Sequence, residues 1–97
     1  DWDQFHNPKN LAMALAAEAG ELLEHFQWLS ESEANSLGAS QRQEAAMEMA
    51  DILMFLLRLA DRLQVDLLKA ADEKMELNRR RYPVEKARGR ATKYDKL

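Results

Sequence analysis

The sequence has no cysteine, only two prolines, three glycines and two histidines, and aromatics make up 7% of its residues. Without cysteine there are no disulfides, no thiolate zinc sites and no thiol nucleophile, a composition that fits a reducing cytoplasm. No apolar run reaches the ~18 residues that a membrane-spanning helix needs. No signal peptide is visible. The chain starts at Asp1 rather than Met, as expected of a trimmed piece. Ninety-seven residues, 46% hydrophobic and 32% charged, suit one small folded domain over 1–97, not a disordered tail. A domain of this size buries only about 60–65% of its unfolded surface, so assembly into oligomers is a natural way to bury more.

The net charge of −3 hides an asymmetry: ten Lys and Arg stand against five Asp and Glu in 69–97, and four against twelve before that. The basic end is either a solvated surface or a set of cations that meets an anion held near the acidic part. No DNA- or RNA-binding signature accompanies it, so no nucleic-acid partner is expected.

Asn7-Pro8 reads as a helix start, with Asn as the cap and Pro in the first turn. Leu11, Leu15, Leu22, Phe26 and Leu29 keep helical spacing and predict a first helix over about 8–29. "SESEANSLGAS" reads as a linker with room for one helical turn. Ser40 and Gln43 match a capping box and open a second helix over about 41–64. "VD" marks a break with Asp66 as cap. A third helix follows from about 67 to 81, stopping short of Pro83. Residues 83–97 read as an extended basic arm. No strand alternation and no repeat appears, so the expected fold is all-α, a bundle of three main helices. Between Ile52 and Leu63 the second helix is apolar around most of its circumference, so it needs cover on more than one side. Two other helices cannot supply that cover, which points to a homo-oligomer, a dimer or a tetramer.

Four carboxylates stand where that bundle should be apolar. Glu18 takes the place of a leucine in the first stripe, with Glu21 nearly one turn further on. Glu48 lies four before Ile52, and Asp51 four before Phe55. A single E-x-x-E or E-x-x-D usually faces solvent. Two copies on the apolar sides of consecutive helices are another matter, because unpaired buried carboxylates are costly and repel one another. Oxygen ligands without imidazole or thiolate suit Mg²⁺, with Mn²⁺ as the substitute. Di-iron bundles bring Glu-x-x-His on two helices, and neither His6 nor His25 follows a glutamate by three. Mg²⁺ in such sites commonly holds substrate phosphates. Lys74, Asn78 and Arg81 share a face of the third helix; they either hold phosphate and sugar oxygens or pair with Glu73 and Glu76 at the surface. Arg62 has the same two readings. Trp28 is either core or a platform on which a nucleobase stacks.

Together these residues resemble the all-α nucleoside triphosphate pyrophosphohydrolases of the MazG type, and more narrowly their dCTP pyrophosphatase branch. The resemblance runs through "DWDQFHNPKNLAMALAAEAGELLEHFQW", "EMADILMFLLRLADR" and "KMELNRRRYPVEKARGRATKYDKL". Twenty-six residues separate the E-x-x-E from the E-x-x-D. "FQW" and "NRRRYP" are the more specific parts. The resemblance implies hydrolysis of a (deoxy)nucleoside triphosphate between the α- and β-phosphates. It implies Glu18, Glu21, Glu48 and Asp51 as Mg²⁺ ligands, with Glu21 and Glu48 as the catalytic carboxylates. Trp2, Phe5 and His6 match the segment bordering the base, Trp28 the stacking aromatic, and Lys74 and Asn78 positions that approach phosphates and sugar. Phe55 departs from the tyrosine of animal relatives and lacks its hydroxyl. Those relatives also carry a helical pocket segment ahead of the position of Asp1. dCTP is the expected substrate and dATP the second candidate. A nucleotide sensor without catalysis and a helical protein-interaction module are the alternatives, and the second leaves the four inward acids unexplained.

Overall fold

The computed structural model describes residues 6–81, which are helical apart from short connections. The chain divides into two units between Gln64 and Val65. In the first unit, α1 spans Pro8–Glu24, α2 spans Glu31–Ala34 and α3 spans Ala39–Leu63. In the second, α4 spans Leu67–Arg81.

Local chemistry sets the helix ends. Asn7 is the cap of α1: its Oδ1 accepts from the Asn10 N–H at 2.9 Å, and Pro8 occupies the first turn, where its missing N–H costs nothing. The helix ends at Glu24, five residues before the predicted end at Leu29. His25, Phe26 and Gln27 bond back to Leu22 and Leu23 and tighten the chain into a turn. Phe26 and Leu29 are still half-buried. The apolar spacing outlasts the helix because the turn brings both side chains back inward.

The expected linker contains α2, closed by a capping box. The Ser30 hydroxyl accepts from the Glu33 N–H while Glu33 accepts from the Ser30 N–H at 2.8 Å. Those bonds favour the ionised acid and hold Glu33 below the usual carboxylate range. The predicted start of α3 at Ser40 is also displaced. Gly38 is the cap, and its N–H donates to Gln41 Oε1 at 3.2 Å. That single bond back from the Gln41 side chain forms two residues earlier than the Ser40–Gln43 pair would allow. At the other end Gln64 takes a left-handed conformation, φ 56, and stops α3. Asp66 caps α4 as expected, accepting from the Lys69 N–H at 3.1 Å.

α1 packs along α3, and the cross-contacts give the direction. His6, ahead of α1, meets Arg58 late in α3, whereas His25, after α1, meets Glu44 and Glu48 early in α3. The pair is therefore an antiparallel hairpin. Leu11, Ala45 and Ala60 are its buried apolar residues, with Leu15, Leu22, Ile52, Phe55, Leu56 and Leu59 half-buried around them. Burying a leucine such as Leu11 stabilises by about 2–3 kcal/mol. Its removal would leave little core in this unit.

Candidate metal centre

Glu18 continues the half-buried stripe of α1, and Glu48 continues that of α3 between Ala45 and Ile52. The antiparallel pairing sets them opposite each other, with Glu21 one turn along from Glu18. One carboxylate oxygen from each of Glu18, Glu21 and Glu48 lies within 4.8 Å of the other two. Glu18 and Glu48 are half-buried and Glu21 is exposed. Oε2 of Glu18 and Oε2 of Glu48 are buried without a hydrogen-bond partner among the described residues. Buried polar atoms are normally satisfied, so two orphaned oxygens in one cluster suit a positive partner.

Electrostatics supports the same view. Glu18 is pushed up to about 7. The main cause is a hydrogen bond to Glu21 that only a protonated acid can donate. Partial burial, the negative charge of Glu21, a similar bond to Glu48 and the charge of Asp51 add to it. Three acceptor-only groups facing one another therefore retain a proton or take up a cation. Because every donor atom is a carboxylate oxygen, the cluster can bind a divalent metal of the hard class.

Asp51 is exposed and lies outside the close trio, although Glu18 feels its charge. The structure thus draws together three of the four expected acids and keeps the fourth as a neighbour. Phe55 lies two turns after Glu48 on the same half-buried stripe of α3. Trp28 is 86% exposed in the turn after α1, so it is no part of this chain's core. His6 lies with its Nδ1 3.3 Å from Arg58 Nη1. Arg62 is exposed on α3, and Lys74 and Asn78 are exposed on α4 in the second unit. There, Glu76 pairs with Arg79 at 2.8 Å and with Arg80 at 3.8 Å. Trp2, Phe5 and the arm at 83–97 lie outside the described residues. A cavity of about 410 Å³ lies beside α2, lined by Leu29, Ser32, Glu33, Ser36 and Gln41, and Glu18, Glu21, Glu48 and Asp51 are not in its lining.

Three contacts escaped the sequence reading. His25 lies between Glu44 and Glu48 at 3.9 Å and 3.7 Å, and Arg58 meets His6. Glu44 precedes Glu48 by one helical turn and His25 follows Glu21 by four. That spacing was available as a signal, but which acids the ring meets depends on how α1 pairs with α3.

Fold and cluster together define an all-α protein with carboxylates gathered between two antiparallel helices. The MazG-like family model matches residues 13–97, and the chain belongs to that family. Over its whole length it is 48% identical to dCTP pyrophosphatase 1 of Homo sapiens and 50% identical to that of Bos taurus. The chain spans only 58% and 59% of those two curated relatives. It also resembles a solved pyrophosphatase from Archaeoglobus fulgidus with a TM-score of 0.80 and 41% identity, over 84% of this chain and 77% of that one.

Proposed function

We propose that the chain is a nucleoside triphosphate pyrophosphohydrolase that uses Mg²⁺, or Mn²⁺ in its place. It cleaves deoxynucleoside triphosphates between the α- and β-phosphates, with dCTP as the main substrate and dATP as the second. The observation that carries this reading is the trio Glu18, Glu21 and Glu48 with its two orphaned buried oxygens. The names of its dCTP-cleaving relatives and of its solved neighbour support the choice of reaction.

Glu18, Glu21 and Glu48 would hold the ion, with Asp51, the neighbour whose charge Glu18 feels, as the fourth ligand. Bound there, a divalent ion supplies positive charge against the triphosphate oxygens and acidifies the attacking water. Glu21 is the exposed member of the trio and so the best placed to orient that water and take its proton. Glu48 is essential because its orphaned oxygen faces the same cluster. Trp28 offers a solvent-exposed indole for base stacking, worth about 1–3 kcal/mol. His6 and Phe55, with Trp2 and Phe5, border the base. Phe55 brings no hydroxyl, so the base is held more by shape than by hydrogen bonds, which favours tolerance. Arg62, Lys74 and Asn78 carry the donors that phosphate and sugar oxygens require.

The family match over 13–97 crosses from the first unit into the second and supports a single domain. Met47, Leu53, Met54 and Leu57 of α3 and Met13 and Leu23 of α1 are all at least half exposed. That much bare apolar helix supports a homo-oligomer. Among the described residues no helix is long and apolar enough to cross a membrane, and the cytoplasm is the compartment proposed.

The test is a panel of ribo- and deoxynucleoside triphosphates incubated with the protein in Mg²⁺ or in EDTA, with products separated and identified. Monophosphate plus pyrophosphate, formed only with Mg²⁺ and fastest from dCTP, is the expected result. Diphosphate plus phosphate would overturn the cleavage site. Tight binding without turnover would leave a sensor.

A further inference from the structure

We propose that His25 is a positioning residue: braced by Glu44 on one side, its imidazole fixes the Glu48 carboxylate so that one oxygen stays turned into the Glu18–Glu21 cluster. The proposal rests on the metal-centre reading above and deepens it.

The two oxygens of Glu48 have different surroundings. Oε1 lies 3.7 Å from His25 Nε2, while Oε2 is buried with no partner. On the far side of the ring, Nδ1 lies 3.9 Å from Glu44 Oε2. The ring therefore faces two glutamates with two different nitrogens. Neither nitrogen joins the close group of ligand atoms formed by Glu18, Glu21 and Glu48. That geometry excludes His25 from the close ligand set and makes it an outer partner of a ligand.

The backbone explains why the ring stays there. His25 ends α1, and its N–H bonds to the carbonyls of Leu22 and Leu23. Its position is thus fixed where the helix turns into the Phe26–Trp28 segment. The outward carbonyls at a helix C-terminus also favour the positive edge of an imidazole. Glu44 and Glu48 stand four apart on α3, so one face of that helix presents both carboxylates to the ring. His25 and Glu48 are half-buried, whereas Glu44 is 63% exposed.

A pair at 3.7–3.9 Å is longer than a hydrogen bond. On the open surface such a contact contributes little to stability. Its consequence here lies in orientation. A free glutamate rotates about its last torsion, and each rotation exchanges the oxygen offered to the ion. An imidazole beside Oε1 biases that rotation towards one oxygen. Loss of an outer partner of this kind commonly weakens metal binding by about 10–100-fold.

The experiment titrates the full, nucleotide-free chain with Mn²⁺ by calorimetry and measures kcat and KM for dCTP, after a melting curve has shown that each variant folds. His25→Ala is expected to weaken Mn²⁺ binding about tenfold and to lower kcat with KM for dCTP little changed. His25→Gln, which restores an N–H donor, recovers most of the affinity. Glu44→Gln produces a smaller loss in the same direction. Unchanged Mn²⁺ affinity in His25→Ala, with binding lost in Glu48→Gln, overturns the positioning role and leaves the metal centre standing. Equal losses in His25→Ala and His25→Gln also overturn it, because bulk rather than donation would then matter. Retained Mn²⁺ binding in Glu48→Gln removes the centre itself and the proposal with it. Should His25→Ala fail to fold, Glu44→Gln decides alone: a loss supports the brace and wild-type affinity overturns it.

Discussion

The two long faces of α3 are arranged against the usual rule. The face against α1 carries a glutamate, Glu48, half out of solvent and with an oxygen that has no partner. The opposite face carries Met47, Leu53, Met54 and Leu57, each at least 50% exposed. An ordinary amphipathic helix would exchange them, with acid outward and leucine inward. A helix tolerates a buried acid only with a positive partner, and a bare apolar face only with a cover. Under the function proposed above, an ion answers the acid on the inner face and a second copy of the chain covers the outer one.

The largest expected effect comes from breaking the inner face. Glu48→Gln should lower turnover of dCTP by more than about a hundredfold, beyond what loss of an outer partner costs. Its stability in EDTA should stay the same or rise, since one of three mutually repelling carboxylates has gone. Melting curves in EDTA check this. A strongly destabilised variant would mean that Glu48 holds the hairpin together and that the inner face is structural.

Leu57→Asp breaks the outer face instead. A charge in the middle of an apolar interface should weaken assembly by at least about 2 kcal/mol, roughly thirtyfold in Kd. Light scattering should then show a shift towards the 11.2 kDa single chain. Mn²⁺ titration separates the faces: affinity for the ion should fall less than assembly does. A variant with unchanged mass would show that the face is solvated.

Sequence periodicity made the inner face legible and the outer one only by inference. Glu18 and Glu48 were recognisable because each sits where the 3.6-residue pattern calls for leucine, and spacing alone put Glu21 beside Glu18. The caps at Asn7 and Asp66 were equally readable, since each bond is local. The end of α1 was not. Phe26 and Leu29 keep the apolar period through a turn, and periodicity reports which way a side chain faces, not whether the backbone is still helical. For the same reason His25 was weighed only as a Glu-x-x-His ligand, because its contacts depend on how α1 pairs with α3 across nearly twenty residues. Asp51 shows the converse limit. The period places it near the cluster but cannot tell a ligand distance from a neighbouring one.

A smaller effect follows from Glu18. Its pKa of about 7 in the folded chain exceeds the ordinary 4.5, so between these values the folded state holds a proton that the unfolded chain has lost. In EDTA its contribution to stability is full below 4.5 and disappears as pH rises through about 7. Ion binding needs the deprotonated acid, so stabilisation by Mg²⁺ should grow over the same interval. Urea melts from pH 4 to 8, compared with Glu18→Gln, test the sign. A wild-type curve running parallel to the variant's would remove the effect.

The finest test of the outer surface is a glycine. Gly20 lies in the middle of α1, and a Cβ added there would meet nothing within 4 Å. No packing among the described residues requires it, although an exposed mid-helix glycine costs about 0.5–1 kcal/mol relative to alanine. On a solvated face Gly20→Ala should therefore stabilise by that amount. If another helix approaches closely there, the added methyl is in the way. We expect the second result: no gain in Tm, and a loss that deepens as the protein is diluted, because assembly then contributes to the melt. A gain near 1 kcal/mol, independent of concentration, would return this face of α1 to solvent and leave the bare face of α3 to be explained alone.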